Sequence, residues 1–243
     1  MKFFDKIKAK QNDRQAETVT IAFLGDSVTQ GCFECPTVNE KRVGDPVFDV
    51  KSAYSTRVRE ILNILYPSIT FDIINAGISG DNAACGLKRL HRDVISKSPD
   101  LVIVSYGLND STLGIENIGI YEKNIEQILS ELKKADIDTI FLTENFMCTK
   151  TSIYAVDPYI IELSEQLAKL QNEGVLKAYF NAAKALCKKY DVKVCDLYSV
   201  WEKMAEKNVD TTELLSNYLN HPLREIHYYI AIKIIETIFY DFK

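Results

Sequence analysis

The chain has 243 residues, of which 47% are hydrophobic, and a formal net charge of −5. This length suits one domain with a large core, which needs no disulfide or metal to hold it together. The acidic balance, with no dense tract of lysine and arginine, argues against nucleic acid or an anionic membrane as the main partner. No apolar run reaches the roughly 18 residues of a membrane span, and the amino terminus has no apolar stretch of signal-peptide length, so we expect a cytoplasmic protein.

In chain order, the first predicted feature is a short amphipathic or frayed lead-in over residues 1–17. Five nearly continuous apolar runs follow, and such runs are typical of strands covered on both faces of a parallel sheet. They span residues 18–25, 70–77, 100–107, 137–144 and 192–198. Helical periodicity fills the intervals, over residues 52–66, 83–97, 117–135, 158–170 and 176–190, and in a final helix that starts at Pro222.

Strands that alternate with helices along the whole chain predict right-handed crossovers. The predicted fold is a doubly wound, three-layer α/β/α domain around a five-stranded parallel sheet. We assign one domain to residues 1–243, because no repeat, low-complexity tract or linker interrupts the pattern. The basic sequence LKRLHR, residues 87–92, is predicted to be a solvated helix face. The longest irregular segment, from Cys32 to Lys51, is expected to cover a site.

Two of the six cysteines, Cys32 and Cys35, form a C-x-x-C pair of the kind found in zinc and redox proteins. A zinc site would require a second such pair or two closely spaced histidines, and the sequence contains neither. We therefore expect reduced thiols in a cytosolic protein, with no metal and no cofactor.

Small and polar residues follow each of the first four predicted strands. The first strand ends in Gly25-Asp26-Ser27, the second in NAGISGDN, the third in GLND and the fourth in TENF. Ligands of open α/β sheets bind beyond the carboxyl ends of the strands, so these residues should meet at one edge. Glu144, after the fourth strand, is interpreted as a substrate contact or as a solvated strand-end acid. A phosphate loop is excluded because no Gly-Lys-Ser/Thr sequence follows the first strand.

The chemistry that uses such residues is acyl transfer. Ser27, at a tight strand-to-helix turn, is the candidate nucleophile. The backbone N–H groups of Ser27 and Gly80 and the side-chain amide of Asn109 are candidate donors to a developing oxyanion. His221 is the candidate general base, and its place beside the start of the final helix should disfavour a protonated ring. Structural roles are assigned to the other histidines, His91 and His227.

The four sequence blocks that carry these residues resemble those of the SGNH/GDSL hydrolases, a family of flavodoxin-like α/β esterases, lipases and acylhydrolases. GDS, NAGISGD, GLND and a late HP stand in the family's order, and the likeness covers residues 20–240. The resemblance implies that Ser27 is the nucleophile, that Gly80 and Asn109 are oxyanion donors, and that His221 is the general base. It implies no metal and no organic cofactor.

One position departs from the family's pattern. An aspartate usually stands three residues before the histidine and orients its imidazole, but this chain has Tyr218 there. We predict a Ser–His dyad whose imidazole is held by a backbone carbonyl. The alternatives are an amide, from Asn217 or Asn220, and an acid that reaches in from elsewhere in the chain.

The function that these residues favour is hydrolysis of a carboxylic ester in a small soluble substrate, and the family suggests an acetylated carbohydrate. A thioesterase or an acyltransferase would use the same residues. The alternative from another class is a catalytically silent domain that binds a glycan or an acyl group. Tyr218, in place of the orienting acid, is the observation that favours this alternative.

Overall fold

A computed structural model describes residues 1–13, 15–35, 37–39, 42–43 and 46–240. The segment from Cys32 to Lys51, predicted to cover a site, therefore lies partly outside the described residues. Its described part holds two short antiparallel strands, and Cys32 pairs with Phe48 in an isolated bridge.

The described residues form seven strands and ten α-helices. The strands are β1 (Val19–Gly25), β2 (Thr37–Asn39), β3 (Arg42–Val43), β4 (Phe71–Gly77), β5 (Leu101–Ser105), β6 (Asp138–Thr143) and β7 (Lys193–Asp196). The helices are α1 (Lys2–Asn12), α2 (Ser27–Gln30), α3 (Tyr54–Leu65), α4 (Ala83–Asp93), α5 (Leu108–Ser111), α6 (Ile118–Lys134), α7 (Pro158–Asn172), α8 (Val175–Tyr190), α9 (Leu197–Glu206) and α10 (Arg224–Phe239). Within the part of the chain that the structure describes, no helix has the length and apolar content to cross a membrane.

The main sheet has five parallel strands in the order β4-β1-β5-β6-β7. All residues of β5, and all but one of β1, are buried, which requires cover on both faces of the sheet. The register pairs Gly25 of β1 with Gly77 of β4 and with Ser105 of β5. Because these three strands end at the same level, the residues that follow them meet at one edge.

The helices pack in two groups. Helix α3 packs against α10, while α6 packs against α4 and α8. In the first group, the ring of Tyr54 in α3 meets that of Phe23 in β1 at a centroid distance of 5.7 Å. With the sheet buried on both faces, these contacts confirm the predicted three-layer α/β/α fold and its five-stranded parallel sheet.

Two predicted boundaries near the carboxyl terminus are wrong. The final helix begins at Arg224, because Pro222 pairs instead with Leu215 in an isolated antiparallel bridge. The last apolar run ends as a strand at Asp196, whose carboxylate accepts hydrogen bonds from the backbone N–H and the hydroxyl of Ser199. Aspartate is a strong N-cap residue, and it starts the unpredicted helix α9.

In the first half of the chain, the lead-in takes the amphipathic of its two predicted forms, and one helix boundary differs from the prediction. The lead-in forms a regular helix, α1, because Phe3 and Ile7 are buried in the core and Phe3 N donates to the Asp138 carboxylate at 2.8 Å. The helix predicted over residues 83–97 ends at Asp93, and a 3₁₀ turn over Ile95–Lys97 completes the segment.

Candidate active site

Ser27 opens the short helix α2 directly after strand β1. Asp26 caps this helix, with its Oδ1 accepting a hydrogen bond of 2.9 Å from Val28 N. The helix lies so close to β4 that a Cβ atom on Gly77 would come within 2.3 Å of Gln30 N. Glycine at the end of β4 therefore allows the turn that carries Ser27 to sit over the carboxyl edge of the sheet.

His221 lies in the loop before α10, and a single side chain shapes that loop. The side-chain oxygen of Asn217 accepts hydrogen bonds from three successive backbone N–H groups, at 3.0, 3.0 and 2.9 Å from Leu219, Asn220 and His221. The amide of Asn145, which follows β6, donates to Asn220 O at 2.9 Å and ties the loop to the sheet edge. These contacts bring His221 to the end of the sheet where Ser27 lies.

The imidazole of His221 joins the Ser27 hydroxyl to a backbone carbonyl. Its Nε2 lies 2.9 Å from Ser27 Oγ, and its Nδ1 lies 2.8 Å from the carbonyl oxygen of Phe33. Since a carbonyl only accepts, the neutral ring carries its proton on Nδ1 and presents an unprotonated Nε2 to the serine hydroxyl. Both side chains are buried, with Ser27 4% and His221 5% exposed. The pair has the geometry that a base needs to take the serine proton.

The predicted carbonyl acceptor is confirmed, and Phe33 supplies it. The amide alternative is wrong, because the Asn217 oxygen binds the backbone of the loop and its Nδ2 donates to Asn220 Oδ1 at 3.1 Å. Tyr218, at the position of the family's aspartate, has a φ of 59° and lies against Tyr154, with ring centroids 6.4 Å apart. Sequence reasoning missed Phe33 because 188 residues separate it from the histidine.

Gly80 and Asn109 lie at the same edge as Ser27. Asn109 Nδ2 donates to the carbonyl of Asp81 at 2.8 Å and lies 3.4 Å from Asp26 Oδ2. Those two partners are the sequence neighbours of Gly80 and Ser27, so the amide links the two loops that carry the other predicted donors. Gly80 has a φ of +80°, a backbone conformation that favours glycine, and is exposed.

Two carboxyl groups are buried together next to Ser27. Glu144 is 1% exposed, and its Oε2 accepts a hydrogen bond of 3.1 Å from Leu108 N. Burial raises the pKa of Asp26 to about 6 and the pKa of Glu144 well above its usual value. Glu144 therefore keeps its proton beside the Asp26 carboxyl group. The sequence analysis interpreted Glu144 as a substrate contact or as a solvated acid. Both interpretations are wrong, because the side chain is buried and reaches neither solvent nor a substrate.

Arg89 corrects the prediction that LKRLHR is a solvated face. Its side chain is 7% exposed and donates to the carbonyl oxygens of Ala76 at 2.6 Å and Gly25 at 3.0 Å. It also forms a 2.6 Å ion pair with Asp81. Five N–H donors in one rigid group suit this task, because they can hold the ends of two strands and the loop next to Gly80 together.

The C-x-x-C pair lies beside His221. The sequence did not indicate this proximity. Cys35 Sγ is 3.7 Å from His221 Nδ1. A hydrogen bond from Cys32 lowers the pKa of Cys35 to about 5, although burial opposes this. Burial lowers the pKa of His221, but the contacts with Cys35 and the Phe33 carbonyl outweigh it and leave that pKa above 6.5.

The other two histidines take no part in this arrangement. His227 is completely buried, and its Nδ1 accepts a hydrogen bond of 3.1 Å from Tyr54 N. Burial lowers the pKa of His227 to about 3, so the ring stays neutral. His91 is exposed in the last turn of α4.

Similarity to known proteins extends over most of the chain. The sequence profile of the GDSL-like Lipase/Acylhydrolase family matches residues 23–227, which include all four predicted site residues. An acetylxylan esterase from Geobacillus stearothermophilus is 26% identical over 148 residues, which are 60% of this chain and 62% of that protein. The matched region is thus less than two thirds of that relative's length.

Solved structures share the fold. An acetyl xylan esterase, AlAXEase, superposes with a TM-score of 0.66 at 20% identity, over 90% of this chain and 100% of that one. A two-domain esterase active on acetylated mannans gives a TM-score of 0.63 at 20% identity, over 96% of this chain and 52% of that one. At these identities the likeness establishes the α/β fold that the sequence predicted.

Proposed function

Because the chain belongs to the GDSL-like lipase/acylhydrolase family, we propose that it hydrolyses carboxylic esters of small soluble substrates through an acyl-enzyme on Ser27. One observation carries the proposal: His221 Nε2 lies 2.9 Å from Ser27 Oγ while Nδ1 binds the Phe33 carbonyl. That arrangement presents a general base in the required tautomer to a buried hydroxyl, and it needs no aspartate to fix the ring.

In the proposed reaction, Ser27 Oγ attacks the ester carbonyl as His221 Nε2 takes its proton. The backbone N–H groups of Ser27 and Gly80 donate to the oxyanion, and the Asn109 amide joins them by exchanging its 3.4 Å contact with Asp26 Oδ2 for the oxyanion. His221 then gives the proton to the leaving alcohol, and the acyl group remains on Ser27. Water, activated by the same imidazole, releases the acid and restores the serine.

We propose an acetylated carbohydrate as the substrate class. The support is the substrate named for the relatives: acetylxylan for the Geobacillus stearothermophilus esterase and acetylated mannans for the two-domain esterase. A small acyl group also fits the burial of Ser27, which is 4% exposed.

The alternative function, a binding domain without catalysis, was favoured by Tyr218, which stands where the family usually has the aspartate that orients the imidazole. The Phe33 carbonyl supplies the orienting partner that Tyr218 does not, so this objection to catalysis is weaker than the sequence suggested. Thioesterase or acyltransferase chemistry by the same residues stays a prediction.

Intact-mass labelling with a fluorophosphonate tests for an activated serine. We expect one adduct on the wild type and none on Ser27→Ala or His221→Ala. Ser79→Ala is the matched control, because Ser79 is an exposed serine next to Gly80 and should leave labelling unchanged. A folded wild type that stays unlabelled would contradict the proposal and favour the silent binding domain.

Acetate release tests the substrate class. Acetylated xylo- and manno-oligosaccharides are supplied as substrates, and we expect Ser27→Ala to lower kcat by at least about 10³-fold. Release from simple aryl acetates but from neither oligosaccharide would keep the esterase and reject the carbohydrate.

A further inference from the structure

A thiol–imidazole cluster lies on the side of His221 that faces away from Ser27. It consists of Cys32 Sγ, Cys35 Sγ and a ring nitrogen of His221, and these three atoms all lie within 4.8 Å of one another. The closest measured pair is Cys35 Sγ and His221 Nδ1, at 3.7 Å. Proposed catalysis uses Nε2 of the ring and neither sulfur, so the cluster is unexplained by the reaction.

The geometry points to an inhibitory site for a thiophilic divalent cation of the zinc class, bound by Cys32, Cys35 and His221 Nδ1. Two thiolates and an imidazole are the ligands that select zinc over magnesium or calcium. Ligand atoms in a tetrahedral zinc site stand about 3.6 to 3.8 Å apart, given Zn–S distances of about 2.3 Å. The 3.7 Å pair already meets this spacing, and the third ligand needs a shift of about 1 Å or less.

The ligands are held by the fold rather than by chance proximity. Cys32 is completely buried, and its backbone N–H donates to Ser27 O at 2.9 Å, so it is anchored to the nucleophile's own turn. Cys35 is half-buried and also meets Asn217 Nδ2 at 4.0 Å. Since Cys35 is partly open, a cation has a route to the cluster, and water can complete a four-coordinate site.

A cation at Nδ1 would switch off the base, and this part of the inference rests on the proposed function. In the metal-free protein Nδ1 donates to Phe33 O and Nε2 accepts from Ser27. A metal can bind Nδ1 only after the ring proton moves through solvent from Nδ1 to Nε2, and the thiol protons are released to solvent as the sulfurs bind. An Nε2–H group donates, so it cannot take the proton of Ser27. The metal-bound form is therefore inactive, and chelation reverses it.

Metal binding is tested without reference to activity. Reduced, chelator-treated wild type is titrated with Co²⁺, followed by its thiolate charge-transfer absorption, and then with Zn²⁺ in competition. We expect one equivalent to bind, and at least a tenfold weaker affinity in Cys35→Ser, since even outer partners of a metal site contribute about 10 to 100-fold. Cys85→Ser is the matched control, because Cys85 is another half-buried free thiol, outside the cluster. Cobalt absorption that is absent, or equal in wild type and Cys35→Ser, would overturn the site.

Inhibition is tested by measuring aryl acetate hydrolysis at the same Zn²⁺ concentrations, with each protein's rate relative to its own metal-free rate. We expect the wild-type rate to fall in parallel with site occupancy and to return after EDTA, while Cys35→Ser resists the same concentrations. Zinc that displaces the bound cobalt but leaves the rate unchanged would show that His221 is not a ligand. A metal-free wild type without hydrolysis would instead contradict the proposed function, and the absorption result would stand alone.

Discussion

At the scale of the single residue, His221 depends on a neutral acceptor where its family usually has a carboxylate. The Phe33 carbonyl determines which ring nitrogen holds the proton, but it brings no full negative charge to stabilise an imidazolium. Cys35, 3.7 Å from the same nitrogen, is the nearby group that favours the charged ring. An aspartate would both orient the ring and supply charge; here the Phe33 carbonyl orients the ring and the Cys35 thiolate supplies the charge.

The pH dependence of kcat/KM measures the pKa of His221 and the effect of Cys35 on it. His221 must be unprotonated to act as a base, and its pKa lies above 6.5, so activity should rise with pH through an acid limb above 6.5. Cys35→Ser should move that limb to lower pH, because contact with the Cys35 thiolate raises the pKa of His221. The measurement is acetate release from an uncharged ester between about pH 5 and pH 9, with EDTA present. A wild-type limb below 6.5, or one unmoved in Cys35→Ser, would contradict the assignment.

At the scale of the element, helix α4 holds the loop that presents Gly80. The amino end of α4 is fixed from the GLND block, where Asp110 Oδ1 accepts a hydrogen bond of 3.0 Å from Ala83 N. One face of the helix carries Arg89, which bonds to Gly25 O and to Asp81. The loop between β4 and α4 is therefore fixed at both ends, which is what an oxyanion donor at Gly80, as proposed, would require.

Replacing Arg89 with Met should lower both stability and rate. Loss of the guanidinium leaves Asp81 and two buried carbonyls without their partner, which should cost about 3 kcal/mol of unfolding free energy. The loosened loop should lower kcat by about 10 to 100-fold, since small misplacements of catalytic groups cost that much. Urea unfolding and initial rates measure the two effects. Arg92→Met is the control, because Arg92 is exposed and pairs only with the neighbouring Asp93 among the contacts described; an equal effect in both variants would reject a specific role for Arg89.

At the scale of the whole molecule, the edge of the sheet that holds the site is assembled at a cost in stability. Burial raises the pKa of Asp110 to about 7 and that of Asp26 to about 6, and raises the pKa of Glu144 further above its usual value. Between the unfolded and the folded pKa of each group, the unfolded chain has released the proton while the folded chain still holds it. Stability therefore falls as pH rises above the unfolded pKa values of these groups.

Glu144→Gln should remove one part of that pH dependence. Glutamine keeps the size of a protonated glutamic acid and cannot ionise. The unfolding free energy of the variant, relative to that of the wild type, should therefore rise with pH from about 4.5 upward. The gain should be roughly 1 kcal/mol per pH unit until the folded group also ionises. Denaturant unfolding at several pH values measures it, with Glu122→Gln on the exposed face of α6 as the control. A stability difference between Glu144→Gln and wild type that stays constant with pH would show that Glu144 is already ionised in the folded protein.

Much of the fold and the main candidates of the site followed from local patterns. Each sheet strand is a short apolar run, and such runs predict buried strands wherever they occur in the chain. Ser27, Gly80 and Asn109 were found because they follow strands whose ends must meet at one edge of a parallel sheet. The errors lie at residues that make another local interaction than the predicted one. Asp196 caps a helix where an apolar run predicted more strand, and Pro222 pairs with Leu215 in a bridge before the final helix begins.

The sequence by itself thus determined the layered fold, the family and the residues proposed for catalysis, because each of these depends on neighbours along the chain. The cytoplasmic location stays a prediction. Only the tertiary structure decided what surrounds those residues: the Phe33 carbonyl on His221, the Arg89 side chain on Gly25 and the C-x-x-C pair beside the imidazole. Arg89 lies 64 residues from Gly25, and Phe33 lies 188 residues from His221 along the chain. The Phe33 partner is a backbone oxygen, which every residue possesses. A periodic pattern carries no information about which distant carbonyl or thiol a fold brings to a given side chain, because that depends on how the helices and loops pack.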